Sequence, residues 1–153
     1  MNDIASSALT FNSAGIAGIT TVVGSKLLRL EDEASSLNLS ASDVARLKKT
    51  VGLSQRHVVS DQRQTTVDLA YEAAVDLFKN MLVDATSIDG LIFVTQSPDY
   101  SAPSSAVKLQ FLLGMSTNAF AFDVRLGCSG FVYGLYLAYS MIQSGLNRVL
   151  LCV

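Results

Sequence analysis

The chain has 153 residues, a formal net charge of −2 and a hydrophobic share of 50%. A balance this close to neutral, without basic runs, argues against nucleic acid and anionic membrane as main partners. Two cysteines make no disulfide framework, and a single histidine with two distant cysteines offers no metal-ligand spacing. The length allows one domain with a sizeable core. The start lacks a basic n-region leading into an apolar core, so no signal peptide is expected and a reducing cytoplasm is the default compartment. Mean hydropathy of +0.38 is high for a free-standing domain and suits the interior of something larger.

Taken in order, residues 1–13 are small and polar and read as a loose lead-in. Ala14 to Val23 reads as a buried strand: Ile16, Ile19, Val22 and Val23 are apolar, and Gly15 and Gly18 disfavour a helix. No GK[ST] follows those glycines, so a phosphate loop is not indicated. Lys26 to Leu39 reads as a polar connection. Ser40-Ala-Ser-Asp43 is a capping-box variant opening a short helix that carries Val44, Leu47 and the basic Arg46, Lys48 and Lys49, ending near Gly52.

Thr65 to Asp68 opens a clear amphipathic helix, with Val67, Ala70, Tyr71, Ala74, Leu77, Phe78 and Met81 at helical spacing. A turn at Asp84 to Ser87 leads into a buried strand, Gly90 to Thr95. Gln96 to Pro103 is then a loop off that strand's carboxyl end, where α/β proteins place ligands. Pro103 suits the first turn of a helix from Ser104 to Leu113, which Gly114 stops. Ala119 to Val124 is a further strand.

After that strand the chain turns at Leu126-Gly127 and enters a long apolar helix whose expected first residue is Cys128. A thiol there sits where unpaired backbone N–H groups and the positive end of the helix dipole converge, which favours the nucleophilic thiolate. Gly127 and Gly130 are read as keeping the approach to the sulfur clear. No charge falls between Leu126 and Asn147. The helix is diluted by glycine and serine and runs directly into another strand, Arg148 to Val153, so it reads as buried in protein rather than spanning a membrane. The absence of G-x-S-x-G around Ser129 excludes a serine-hydrolase elbow. Alternating strands and helices give an α/β class with a βαβ sheet and helices on both faces.

The stretch Asp123-Val-Arg-Leu-Gly-Cys-Ser-Gly-Phe-Val-Tyr-Gly-Leu resembles the active-site signature of the 3-oxoacyl-(acyl-carrier-protein) synthase III family, of the thiolase-like fold. Val51-Gly-Leu-Ser-Gln-Arg-His57 resembles a second family motif, and Asp89 to Tyr100 with Pro103 a third, in the family's order and at about its spacing. The likeness runs from about Gly15 to Val153. It implies that residues 14–153 are the N-terminal half of a five-layered αβαβα condensing domain, with a mixed sheet and a buried helix after the cysteine.

The resemblance further implies that Cys128 takes an acyl group from acyl-CoA or acyl carrier protein, for decarboxylative condensation with malonyl-acyl carrier protein in fatty-acid or related acyl-chain synthesis. In the family that condensation uses a histidine and an asparagine downstream of the cysteine, so His57, the only histidine, is expected to be structural. Arg46 falls at or near a position where an aromatic residue commonly stacks on the coenzyme A adenine; with Lys48 and Lys49 it is a candidate contact for an acidic carrier protein. Ala102 stands where a bulky residue often limits chain length, which implies a pocket taking more than acetyl. The family also implies a homodimer through the strand at Ala119 to Val124, with no resident cofactor or metal. Two other readings stand beside this one: a non-catalytic or heteromeric subunit of the same fold, and a flavodoxin-like binding domain with an inert thiol.

Overall fold

A computed structural model of the chain describes residues 14–153; the lead-in expected over residues 1–13 lies outside the described residues. The elements are β1 (Lys26–Arg29), α1 (Leu30–Glu33), α2 (Ala41–Thr50), β2 (Gln55–Val58), α3 (Thr66–Met81), β3 (Gly90–Val94), α4 (Ser105–Leu112), β4 (Phe120–Val124), α5 (Gly130–Gln143) and β5 (Val149–Cys152). Three strands form a parallel sheet in the order β4-β3-β5, and β1 and β2 form a separate antiparallel pair.

The central strand explains the arrangement. Gly90-Leu-Ile-Phe-Val94 is buried at every position, as a continuous apolar run must be when helices cover both faces of a parallel sheet. Side chains alternate across a strand, so Leu91 and Phe93 point one way and Ile92 and Val94 the other. The first pair joins Val67 and Ala74 of α3, Ala106 and Leu109 of α4, and Leu150 in one core. The second pair joins Ala138 of α5, flanked by Phe122, Val124, Met141 and Leu151. The result is three layers: α3 and α4, the sheet, then α5.

The starts of α2, α3 and α4 follow the side-chain signals. Ser40 and Asp43 form a full capping box on α2, as Thr65 and Asp68 do on α3. Ser104 accepts from the Val107 N–H at the start of α4. Pro103 is therefore not in the first turn: the Ser104 cap sets the start one residue after it, and the Ala102–Pro103 peptide is cis. Gly114, at φ +66°, ends the α4 segment as expected.

Two expectations are corrected. Ala14 to Val23 forms no strand: among the described residues neither sheet takes it up, and Ile16, Ile19 and Val23 are exposed rather than buried. It runs instead along α3, with Gly18 against Met81 and Leu77 and the Thr20 hydroxyl donating to Asp76 at 3.4 Å. The supposed polar connection contains β1 and α1. β1 pairs with β2 from Lys26↔Val58 to Arg29↔Gln55, and the Arg56 guanidinium donates to Glu33 of α1 at 2.6 Å. Lys48 of α2 also pairs with Glu31, binding α2 to the same corner.

The resemblance places helix α5 in a middle layer, covered on its far side by the second half of the fold. The helix buries one stripe only, Gly130, Gly134 and Ala138 at four-residue spacing. A side chain at Gly134 would come within 2.7 Å of Leu151 and 3.0 Å of Val94, so the missing side chain is what lets the helix lie close on the sheet. Phe131, Val132 and Tyr133 face outward, Val132 with 66% of its surface exposed. Among the described residues no helix is long and apolar enough to cross a membrane.

Candidate active site around Cys128

In a parallel sheet all carboxyl ends lie on one edge. The loop 96–103 leaves β3 there, and the Cys128 turn leaves the adjacent β4 on the same edge. The Thr95 N–H donates to the Val124 carbonyl at 3.1 Å, carrying the strand pairing one step further toward the site.

Cys128 is exposed, but it is not the first helical residue. The α5 helix begins at Gly130 with Ser129 as its N-cap, and Cys128 occupies the turn before it. The turn is closed by the Gly130 N–H donating to the Gly127 carbonyl at 2.7 Å. Ser129 has α-helical φ and ψ and its side chain makes no capping bond, unlike the caps of α2, α3 and α4. The Cys128 N–H has no hydrogen-bond partner among the described residues. An uncapped start leaves donors open beside the sulfur.

The glycines of the motif act differently from their expected role. The space beside Gly130 is filled by the Val94 side chain, and that beside Gly127 by the Gln96 carboxamide. They allow the turn to press onto the end of β3 rather than clearing a path to the thiol.

Asp123, on β4, points away from the thiol's helix. Its carboxylate accepts from the backbone N–H groups of Ser105 at 2.9 Å and Ala106 at 2.7 Å, closing the start of α4 with a negative charge at the positive helix end. Asp99 performs the comparable task for the loop. Its side chain is 4% exposed and accepts from the Lys108 ammonium at 2.7 Å and the Thr65 hydroxyl at 2.9 Å. Burial would raise its pKa, but Lys108 and Thr65 outweigh that and hold it below the ordinary carboxylate range; the same pairing raises Lys108. The Thr66 hydroxyl donates to the Ser97 carbonyl at 3.1 Å, and the Lys108 ammonium also sits 5.5 Å from the centre of the Tyr100 ring. The loop is thus fastened to α3 and α4.

The other expected site residues divide. Ala102 is on this loop, exposed, at the same sheet edge as Cys128. Arg125, just after β4, reaches the Ser101 carbonyl at 3.5 Å. Arg46 pairs with Asp43 of its own helix at 3.1 Å and joins neither the loop nor the turn. The Nδ1 of His57 lies 2.9 Å from the Gly24 carbonyl, which can only accept, so Nδ1 carries the proton and fastens the start of β1 to β2. Cys152 is the opposite of Cys128: burial in β5 pushes its thiol up to about 12. Among the described residues no group of acids, cysteines or histidine is arranged to hold a metal. Sequence reasoning passed over Gln96, Lys108 and the capping role of Asp123; only the last had a visible signal, a carboxylate inside the cysteine motif.

Comparison with known proteins identifies the family and fold. Residues 122–153 match the family model for 3-oxoacyl-[acyl-carrier-protein (ACP)] synthase III. A putative 3-oxoacyl-[acyl-carrier-protein] synthase 3 of Campylobacter jejuni is 39% identical over 142 residues, covering 92% of this chain and 40% of that protein. The chain is a 3-oxoacyl-(acyl-carrier-protein) synthase III-like chain with the thiolase-like fold.

Two further likenesses agree with it. A beta-ketoacyl-[acyl-carrier-protein] synthase III of Ehrlichia canis is 38% identical over 138 residues, covering 90% of this chain and 42% of its own. A crystal structure of 3-oxoacyl-(acyl-carrier-protein) synthase from Burkholderia xenovorans superposes with a TM-score of 0.78 at 34% identity, covering 87% of this chain and 38% of that one. The chain spans about two fifths of the length of these relatives. The flavodoxin-like reading is set aside, since the likeness is to condensing-enzyme structures.

Proposed function

We propose that the chain supplies the acyl-accepting cysteine of a 3-oxoacyl-acyl-carrier-protein synthase III-type acyltransferase. One observation carries this reading. Cys128, the exposed thiol of the family-matched stretch, stands before an uncapped helix at the carboxyl edge of the sheet, with its own N–H unpaired among the described residues.

The Cys128 thiolate attacks the carbonyl carbon of an acyl thioester. The carbonyl oxygen becomes an oxyanion in a tetrahedral intermediate, and the open Cys128 N–H is a donor available to it. Collapse expels the thiolate of coenzyme A or of the carrier's phosphopantetheine and leaves an acyl-cysteine. In the family, malonyl-acyl carrier protein then loses carbon dioxide and its carbanion attacks the acyl-cysteine to give a 3-oxoacyl product and free cysteine. That step uses a histidine and an asparagine downstream of the cysteine, and this sequence supplies no histidine there, its one histidine being His57. His57 takes no part, being held at Gly24.

Within this reading Ala102, small and exposed on the loop that leaves β3, admits primers longer than acetyl. Arg46, Lys48 and Lys49 offer a carrier protein a weakened positive face, since Arg46 and Lys48 already pair with Asp43 and Glu31. A homodimer working in the cytoplasm belongs to the same reading. The test is loading of Cys128 from a series of acyl-CoA thioesters, followed by intact mass. Loading that extends past acetyl supports the reading of Ala102, and acetyl alone overturns it.

A further inference from the structure

The turn that presents Cys128 is gripped from two sides by residues near the end of β3. The Val94 side chain fills the space a side chain at Gly130 would take, and the Gln96 carboxamide fills the space beside Gly127, its Cδ 3.0 Å from where a Cβ would stand. Between the two lie Cys128 and Ser129, closed by the 2.7 Å bond from the Gly130 N–H to the Gly127 carbonyl. Val94 is part of the core. Gln96 is exposed, and its amide makes no hydrogen bond among the described residues, so its contact with Gly127 is steric. Its root is fixed. Thr95 is bonded to Val124, and the Ser97 N–H donates to the Thr95 hydroxyl at 3.0 Å. Two residues beyond Ser97, Asp99 is tied down by Lys108 and Thr65.

We propose that Gln96 is a positioning residue for the nucleophile: anchored through the Asp99 loop, its side chain holds the Gly127–Gly130 turn in the conformation that presents Cys128. Its consequence for acyl loading rests on the acyl-transfer reading above; its effect on the turn does not. A displacement of about 1 Å at a reacting atom is enough to cost orders of magnitude in rate, so a steric prop two residues from a strand end can matter to chemistry without touching substrate.

Four variants test this: Gln96→Ala, Gln96→Met, Gly127→Ala and the double variant Gln96→Ala/Gly127→Ala. Each is read by hydrogen exchange of the Gly130 amide, by acyl loading of Cys128 from a short acyl-CoA, and by melting temperature. Gln96→Ala is expected to speed Gly130 exchange about tenfold and slow loading by a similar factor, with little change in melting temperature. Gln96→Met fills the same space and restores both. Gly127→Ala, whose methyl evicts Gln96, behaves like Gln96→Ala, and the double variant is no worse than either. Unchanged Gly130 exchange in Gln96→Ala, or effects of the two single changes that simply add, would overturn the proposal. A wild-type chain that takes no acyl group contradicts the acyl-transfer reading instead, and the exchange data still decide the role of Gln96.

Discussion

The two faces of the central sheet are built on opposite plans. On one, Leu91 and Phe93 meet Val67, Ala74 and Leu109 in a closed core. On the other, α5 lays glycine and alanine on the sheet and turns Phe131, Val132 and Tyr133 outward. The first face stabilises through bulk and the second through close backbone approach. The difference also separates tasks, since the closely held helix is the one that begins just after Cys128.

That contrast is broken most forcefully at Leu109. It is fully buried, and Leu109→Ala is expected to cost about 2–5 kcal/mol in denaturant unfolding. On the α5 face the damaging change is the reverse, from small to large. Gly134→Val has no room against Leu151 and Val94 and is expected to cost about 1–3 kcal/mol. If the valine were tolerated while Leu109→Ala unfolded the chain, close approach of α5 would not be a structural requirement.

A smaller effect is expected where the loop is fastened to the first face. Lys108→Met removes the partner of the buried Asp99, at a cost of about 1 kcal/mol because the lysine is itself partly exposed. The pH dependence has a definite sign. Asp99 is held below the ordinary aspartate value of about 3.9, so its contribution is present above that pH and disappears as acid protonates it. Melting curves of wild type and Lys108→Met are therefore expected to differ at neutral pH and to converge as pH falls below about 4. The smallest effect belongs to the outward residues of α5: Val132→Ala is expected to change stability by no more than about 0.5 kcal/mol.

What could be read from sequence follows the range of the interactions. The α3 helix was legible because its apolar spacing and its Thr65–Asp68 cap are local, and β3 because five apolar residues run together. Cys128 was legible through a local motif, though its place one residue ahead of the N-cap was not, since Ser129 is a cap without a capping bond. The β1–β2 pair was missed because each strand has only four residues and its partner lies far along the chain. Ala14 to Val23 misled for the complementary reason: it has a strand's composition, yet among the described residues it pairs with no strand. Gln96 and Lys108 carry no signature of their own. Their roles come from the fold bringing the end of β3 to the Cys128 turn and Asp99 to α4.

The most direct measurement compares the two cysteines in one sample: intact mass with peptide mapping after incubation with a short and a medium acyl-CoA, for the folded chain and for Cys128→Ser. One acyl group on Cys128, none on the half-buried Cys152, whose thiol is pushed up to about 12, and no adduct in the variant is the expected result. A folded chain that stays unmodified, or an adduct that survives Cys128→Ser, would contradict the assignment of Cys128 as the acyl acceptor.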